Sequence, residues 1–160
     1  LYYNAASGAK APAQLQPDLV IVGDGPDRQR LEQLAQKHYP AAIFAGARHG
    51  VDLEKFFSSA DLFVLPGTGG LAVQQAMAHA LPVLVGEADG TQSDLVRPAN
   101  GWVLPAVNAD SLAAKLTTAL ADVAQLRRMG AASYRIVHDE VNLENMVNVF
   151  MNAIEAVLQD

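Results

Sequence analysis

Four short, unbroken apolar runs constrain this fold more than any other feature: Asp18–Gly23 (DLVIVG), Ala42–Ala45 (AIFA), Asp61–Leu65 (DLFVL) and Leu81–Gly86 (LPVLVG). A strand with one wet face alternates apolar and polar residues, whereas a strand covered on both faces stays apolar throughout. All four runs are of the second kind. The segments between them carry helical spacing instead. Leu31, Leu34, Ala35 and His38 follow Pro26 and stop at Pro40, and Leu53, Phe56, Phe57 and Ala60 follow Asp52, which is placed to cap that helix. Leu71 to Ala80 forms a third helix, and Trp102 to Leu104 a shorter fifth strand. Strands alternating with helices predict an α/β fold, a doubly wound parallel sheet with a helical carboxy-terminal third. That third comprises Asn108–Leu120, residues 123–138 with Gly130 as a weak point, and a long amphipathic stripe over Leu143–Leu158 read as docking within its own fold.

With 160 residues the chain has the mass of a single domain, residues 1–160. Eleven Lys and Arg face 17 Asp and Glu, a formal charge of -6, which argues against a nucleic-acid or anionic-membrane partner. No apolar stretch approaches the roughly 20 residues that span a bilayer. Cysteine is absent, which removes disulfides and thiolate chemistry and fits a reducing compartment, so the expected location is cytoplasmic. The opening LYYN lacks Met and reads as the start of a fragment. Only thirteen residues, Ala5 to Pro17, separate it from the next strand, barely enough for a parallel crossover with its helix. Either Leu1 to Asn4 is an edge piece or residues are missing from this stretch.

The segment Pro66–Val83, PGTGGLAVQQAMAHALPV, carries the most chemical information. Gly67, Gly69 and Gly70 lie between a buried strand and a helix start, where unpaired amides and the helix dipole can hold a phosphate. A tight turn that binds nothing accounts for the glycines equally well. Neither the dinucleotide fingerprint nor the P-loop pattern is present.

Several blocks together carry a family resemblance: IVGDGPDRQRLEQLA at Ile21–Ala35, FAG at Phe44–Gly46, ADLFVLP at Ala60–Pro66, GL..QQAMAHALPV at Gly70–Val83 and NGWVLP at Asn100–Pro105. In this order they resemble the carboxy-terminal, nucleotide-sugar-binding domain of retaining GT-B glycosyltransferases of family 4, over about Asp18 to Val123. The resemblance implies a Rossmann-like half of a GT-B fold whose partner half, the amino-terminal acceptor domain, is absent here. It implies donor pyrophosphate on the amides of Gly69, Gly70 and Leu71, and the base near Gly46 to His49, with Arg48 able to meet phosphate or base. It further implies no required metal and no cofactor beyond the nucleoside-diphosphate sugar itself. Family members commonly place two glutamates eight positions apart across the turn, the first at the sugar and the second at the ribose; here those positions are Gly67 and Gln75. The basic residues of the first loop are not recognisable in NAASGAKAP, where Lys10 is the one nearby cation.

Other candidates have plain structural readings. His38, His79 and His138 show no metal-ligand spacing and read as packing or surface residues, His49 being the exception because of its loop. Asp24 and Asp27 flank Pro26 at a helix start, where a carboxylate favours the dipole without any catalytic role. Glu87, Asp89 and Asp94 follow the fourth run at the carboxyl edge of the sheet, where the resemblance implies contacts to the sugar and a solvated acidic loop is the alternative. No catalytic residue is identified. The function expected is the donor half of a sugar transferase, silent as an isolated fragment; a non-catalytic nucleotide-sugar-binding or scaffold module and a nucleotide-sugar epimerase of the same architecture are the alternatives.

Overall fold

The computed structural model describes residues 2–3, 17–67, 69–87 and 90–158. Its strands are β1 (Tyr2–Tyr3), β2 (Val20–Val22), β3 (Ile43–Gly46), β4 (Leu62–Leu65), β5 (Val83–Gly86) and β6 (Gly101–Leu104). The helices are α1 (Arg28–His38), α2 (Gly50–Ser58), α3 (Gly70–Ala78), α4 (Thr91–Leu95), α5 (Ala109–Leu120), α6 (Val123–Asp139) and α7 (Leu143–Leu158). One sheet holds the strands in the order β3-β2-β1-β4-β5-β6. β2 pairs with β3 in parallel, and β4, β5 and β6 form a parallel ladder in which Val83, Leu84 and Val85 sit beside Gly101, Trp102 and Val103.

Residues of β4 and β5 alternate between two apolar clusters, one on each face. Phe63, Val83 and Val85 pack with Phe57 of α2, Val73, Ala76 and Met77 of α3, and Ile136 of α6. Leu62, Val64 and Leu84 pack with Ala119 and Leu120 of α5 and Leu126 of α6. This is why β4 and β5 contain no polar residue. Helix α5 begins with a reciprocal cap: the Asn108 side chain accepts from the Ser111 amide at 2.9 Å, and the Ser111 hydroxyl accepts from the Asn108 amide at 3.2 Å.

Four expectations are corrected. β1 is no edge piece; it lies mid-sheet, antiparallel to both β2 and β4. An antiparallel pairing needs no crossover helix, which removes the length problem posed by thirteen intervening residues. Helix α2 starts at Gly50 with His49 as its N-cap, so Asp52 lies in the first turn and bonds Lys55 at 2.8 Å instead of capping. Gly130 is a contact point, not a weak one: a Cβ there would lie 2.0 Å from the carbonyl oxygen of Ala80, in the left-handed turn (φ 56°) that ends α3. Finally, α7 buries none of its residues, and Phe150 and Ile154 remain 65% and 51% exposed. Its apolar stripe does not dock on this core, whose faces α3, α5 and α6 already cover. Among the described residues no helix is long and apolar enough to cross a membrane.

Replacing an exposed helix glycine by alanine ordinarily stabilises by about 1 kcal/mol. For Gly130→Ala the clash with Ala80 reverses the sign, and we expect a loss of about 1–3 kcal/mol in urea unfolding.

Candidate functional site

Three parallel strands end at one edge of the sheet, and the chain leaving each contributes one wall of a cavity of about 370 Å³. Val22, Gly23 and Asp24 come from the end of β2, and Ala47, Arg48 and His49 from the loop after β3. Leu53, Phe56 and Phe57 of α2 and Phe63 of β4 form an apolar floor, and Ala72 and Gln75 of α3 close the last side. The volume falls in the range of small-molecule sites, and its apolar floor with a few polar groups at the rim has their usual composition. Gln75 thus lies on the face of α3 turned toward the loop after β3.

The two loops forming the outer rim are tied to each other. The Gly23 amide donates to the Gly46 carbonyl at 2.9 Å. Arg28, at the start of α1, donates through Nη1 to Asp24 at 3.0 Å, through Nε to Glu32 at 2.7 Å, and through Nη2 to the Phe44 carbonyl at 3.5 Å. The Glu32 and Asp24 carboxylates raise the already high pKa of Arg28 further. Gly46 is buried and left-handed (φ 73°), and a Cβ there would meet Nη1 of Arg28 at 3.1 Å. So Gly46 supports the rim from behind, while Arg48 and His49 line the cavity itself.

The glycine turn leads directly into α3. Gly69 is its N-cap at φ 146° and ψ 101°, a conformation open only to glycine, and no side chain of the described residues caps the first turn. The amides of that turn therefore face the carboxyl edge of the sheet. Leu71 contributes only its backbone there, since its side chain is 79% exposed and borders a different groove, against Met146, Val149 and Phe150 of α7. Gly67 is exposed and offers backbone alone.

Several candidates have structural roles. The His79 ring donates through Nδ1 to the Gln75 carbonyl, 2.9 Å away, and stacks on Phe57 with centroids 5.2 Å apart. His138 pairs with Asp139 at 2.7 Å and stacks on Tyr134. The Asp27 carboxyl is held below its ordinary pKa by hydrogen bonding and charge from Arg30. Glu87 and Asp94 are exposed, and Lys10 and Asp89 lie outside the described residues. Among the described residues no group of three or more His, Asp or Glu side chains is placed to hold a metal ion. Sequence reasoning missed two features: the place of Asp24 in the cavity lining, and the burial of Gln92, whose amide atoms have no hydrogen-bond partner among the described residues.

The model of the family described as glycosyl transferases group 1 matches residues 3–136. A GDP-mannose-dependent alpha-mannosyltransferase of Mycobacterium tuberculosis is 44% identical over 105 residues, covering 63% of this chain and 25% of that protein. The enzyme of the same name from Mycolicibacterium smegmatis is 38% identical, covering 74% of this chain and 31% of that protein. In structure, sucrose-phosphate synthase from Thermosynechococcus elongatus aligns with a TM-score of 0.74 at 26% identity, over 90% of this chain and 40% of that one. The chain thus spans between a quarter and two fifths of these three relatives.

Two substitutions separate backbone demand from mere glycine content in the turn. Gly69→Ala forces an alanine into a glycine-only conformation and is expected to cost about 1–3 kcal/mol in denaturant unfolding. Gly67→Ala, whose Cβ would meet nothing within 4 Å, should change stability by less than about 0.5 kcal/mol.

Proposed function

Given that the chain belongs to the glycosyl transferases group 1 family, we propose that it is the donor-binding half of a retaining glycosyltransferase whose donor is a nucleoside-diphosphate sugar. The single observation that carries this reading is the adjacency of the apolar cavity to the uncapped first turn of α3, with Gln75 on the same helix lining the cavity. A base fits the apolar cavity, a diphosphate fits the amides of Gly70 and Leu71, and a ribose between them comes within reach of Gln75. As the diphosphate departs, the growing negative charge falls on fixed backbone dipoles, which need no reorganisation to stabilise it. The names of the two mycobacterial relatives, both dependent on GDP-mannose, support the same donor class.

The acceptor site and any catalytic carboxylate belong to the wall that an amino-terminal domain would supply, in a full-length protein working in the cytoplasm. One observation favours a second reading. Neither Gly67 nor Gln75, the positions where the resemblance implies glutamates, carries a carboxylate, as expected of a module that binds a nucleotide sugar without transferring it. Incubating the full-length protein with a panel of nucleotide sugars and acceptors separates the readings: sugar transfer supports the first, and binding without turnover the second. Isomerised donor would point to an epimerase.

Gln75 tests the geometry directly. A helix side chain tilts toward its own amino terminus, so Gln75 faces a ribose behind a phosphate on Gly70 and Leu71. Gln75→Ala should raise the Kd for a nucleoside diphosphate by about tenfold, and Gln75→Glu, with its charged acceptor, should hold or improve affinity. Unchanged calorimetric affinity in both variants would remove Gln75 from the site.

A further inference from the structure

We propose that Gln74 couples the donor site to α7, so that a nucleoside diphosphate held by the first turn of α3 also tightens the joint between α6 and α7. This rests on the nucleoside-diphosphate reading above and adds a response to binding that the reading leaves open. Helix α3 stands between two recesses and turns a different face to each. Ala72 and Gln75, neighbours on the helix surface at i and i+3, line the donor cavity. Leu71 and Gln74, at the same spacing, line a second groove of about 590 Å³ whose far wall is Met146, Val149 and Phe150 of α7.

The core does not hold α7, which buries none of its residues, so its place is set at the joint, Glu140 to Asn142. Polar ties make that joint. Gln74 Nε2 donates to the Val141 carbonyl at 3.1 Å, and the Arg97 guanidinium forks onto Glu140. The Asn142 side chain donates to the His138 carbonyl at 2.7 Å and accepts from the Asn145 amide at 2.8 Å, while the Asn145 side chain donates to the Asp139 carbonyl at 2.7 Å. Of these ties, that of Gln74 alone begins on α3. A helix fastened by a few hydrogen bonds at one end, with no buried face of its own, belongs to the parts of a protein that open most readily.

The first turn of α3 has no side-chain cap among the described residues, so a phosphate there supplies hydrogen bonds that the turn otherwise lacks. Fixing that turn fixes the backbone from which Gln74 projects, and less order then remains to be lost when the joint closes on it. The coupling runs both ways: whatever frees the joint weakens nucleotide binding by no more than the factor by which nucleotide tightens the joint. Gln74 is then a positioning residue. It touches no ligand, and it ties the helix that does to α7.

Amide hydrogen exchange of the full-length protein with and without saturating GDP or UDP, paired with calorimetry, tests this. In the unmodified protein the bound nucleotide should slow exchange across residues 141–146 by at least about fivefold. Gln74→Leu removes the donor to the Val141 carbonyl and should abolish that slowing, while lowering nucleotide affinity by no more than about fivefold. A purely structural tie would instead speed exchange in Gln74→Leu equally with and without nucleotide and leave the unmodified protein's α7 indifferent to the ligand. Nucleotide binding that leaves residues 141–146 unchanged in the unmodified protein overturns the proposal without recourse to any variant. So does slowing that persists in Gln74→Leu; in both cases the nucleoside-diphosphate reading survives. Binding of neither nucleotide overturns both.

Discussion

Burial of the central strands on both faces is the constraint from which the rest of this molecule follows. Leu62 and residues Val83 to Val85 are fully enclosed between helices, so neither face of the sheet is left for a ligand. Polar chemistry is confined to the strand ends, where backbone amides and charged side chains emerge. Since β2, β3, β4 and β5 run the same way, four connections leave from one edge. Three of them enclose the cavity and the fourth leads into α4.

The site gains its definition from backbone as much as from side chains. Gly46 and Gly69 adopt left-handed conformations, the first bringing the β3 strand end against Arg28 and the second turning the chain sharply into α3. Neither contributes a functional group, yet substituting either would displace groups that do. Asn100 performs a similar office on the far side of the sheet: fully buried, it accepts from the Arg97 amide at 2.6 Å and donates to the Leu95 carbonyl at 3.2 Å. That closes the turn between α4 and β6, and Arg97 in the same turn forks onto Glu140 at 2.9 and 2.6 Å.

The runs of β4 and β5 were legible because double-sided burial writes itself into composition, and the glycine turn because few residues can make it; β3, equally apolar, leaves Ile43 54% exposed at the sheet edge. What stayed hidden depended on neighbours distant in sequence. Gly130 looks like a helix flaw until Ala80, fifty positions earlier, is seen against it. Asp24 two residues before Pro26 has an adequate explanation in the helix dipole, and its place at the rim emerges only when the β2 and β3 loops meet. Gln92 sits in the polar stretch GTQSD, where nothing local signals that its side chain is 1% exposed. The central, antiparallel position of β1 was likewise beyond reading, since sequence carries no mark of strand order. α7 misled in the opposite sense: its apolar stripe is real, but periodicity reports that a face wants covering and not where the cover lies.

A single nucleotide that spans the apolar cavity and the first turn of α3 touches both walls at once. Amide chemical-shift mapping of the isotopically labelled protein, titrated with a nucleoside diphosphate, tests it most directly. The shifts should concentrate at Gly69 to Ala72, at Gln75, and at Gly23, Asp24, Arg48 and His49, while α5 and α6 stay still. Shifts at Arg48 and His49 without any at Gly69 to Ala72, or shifts centred on the α7 groove, would contradict it.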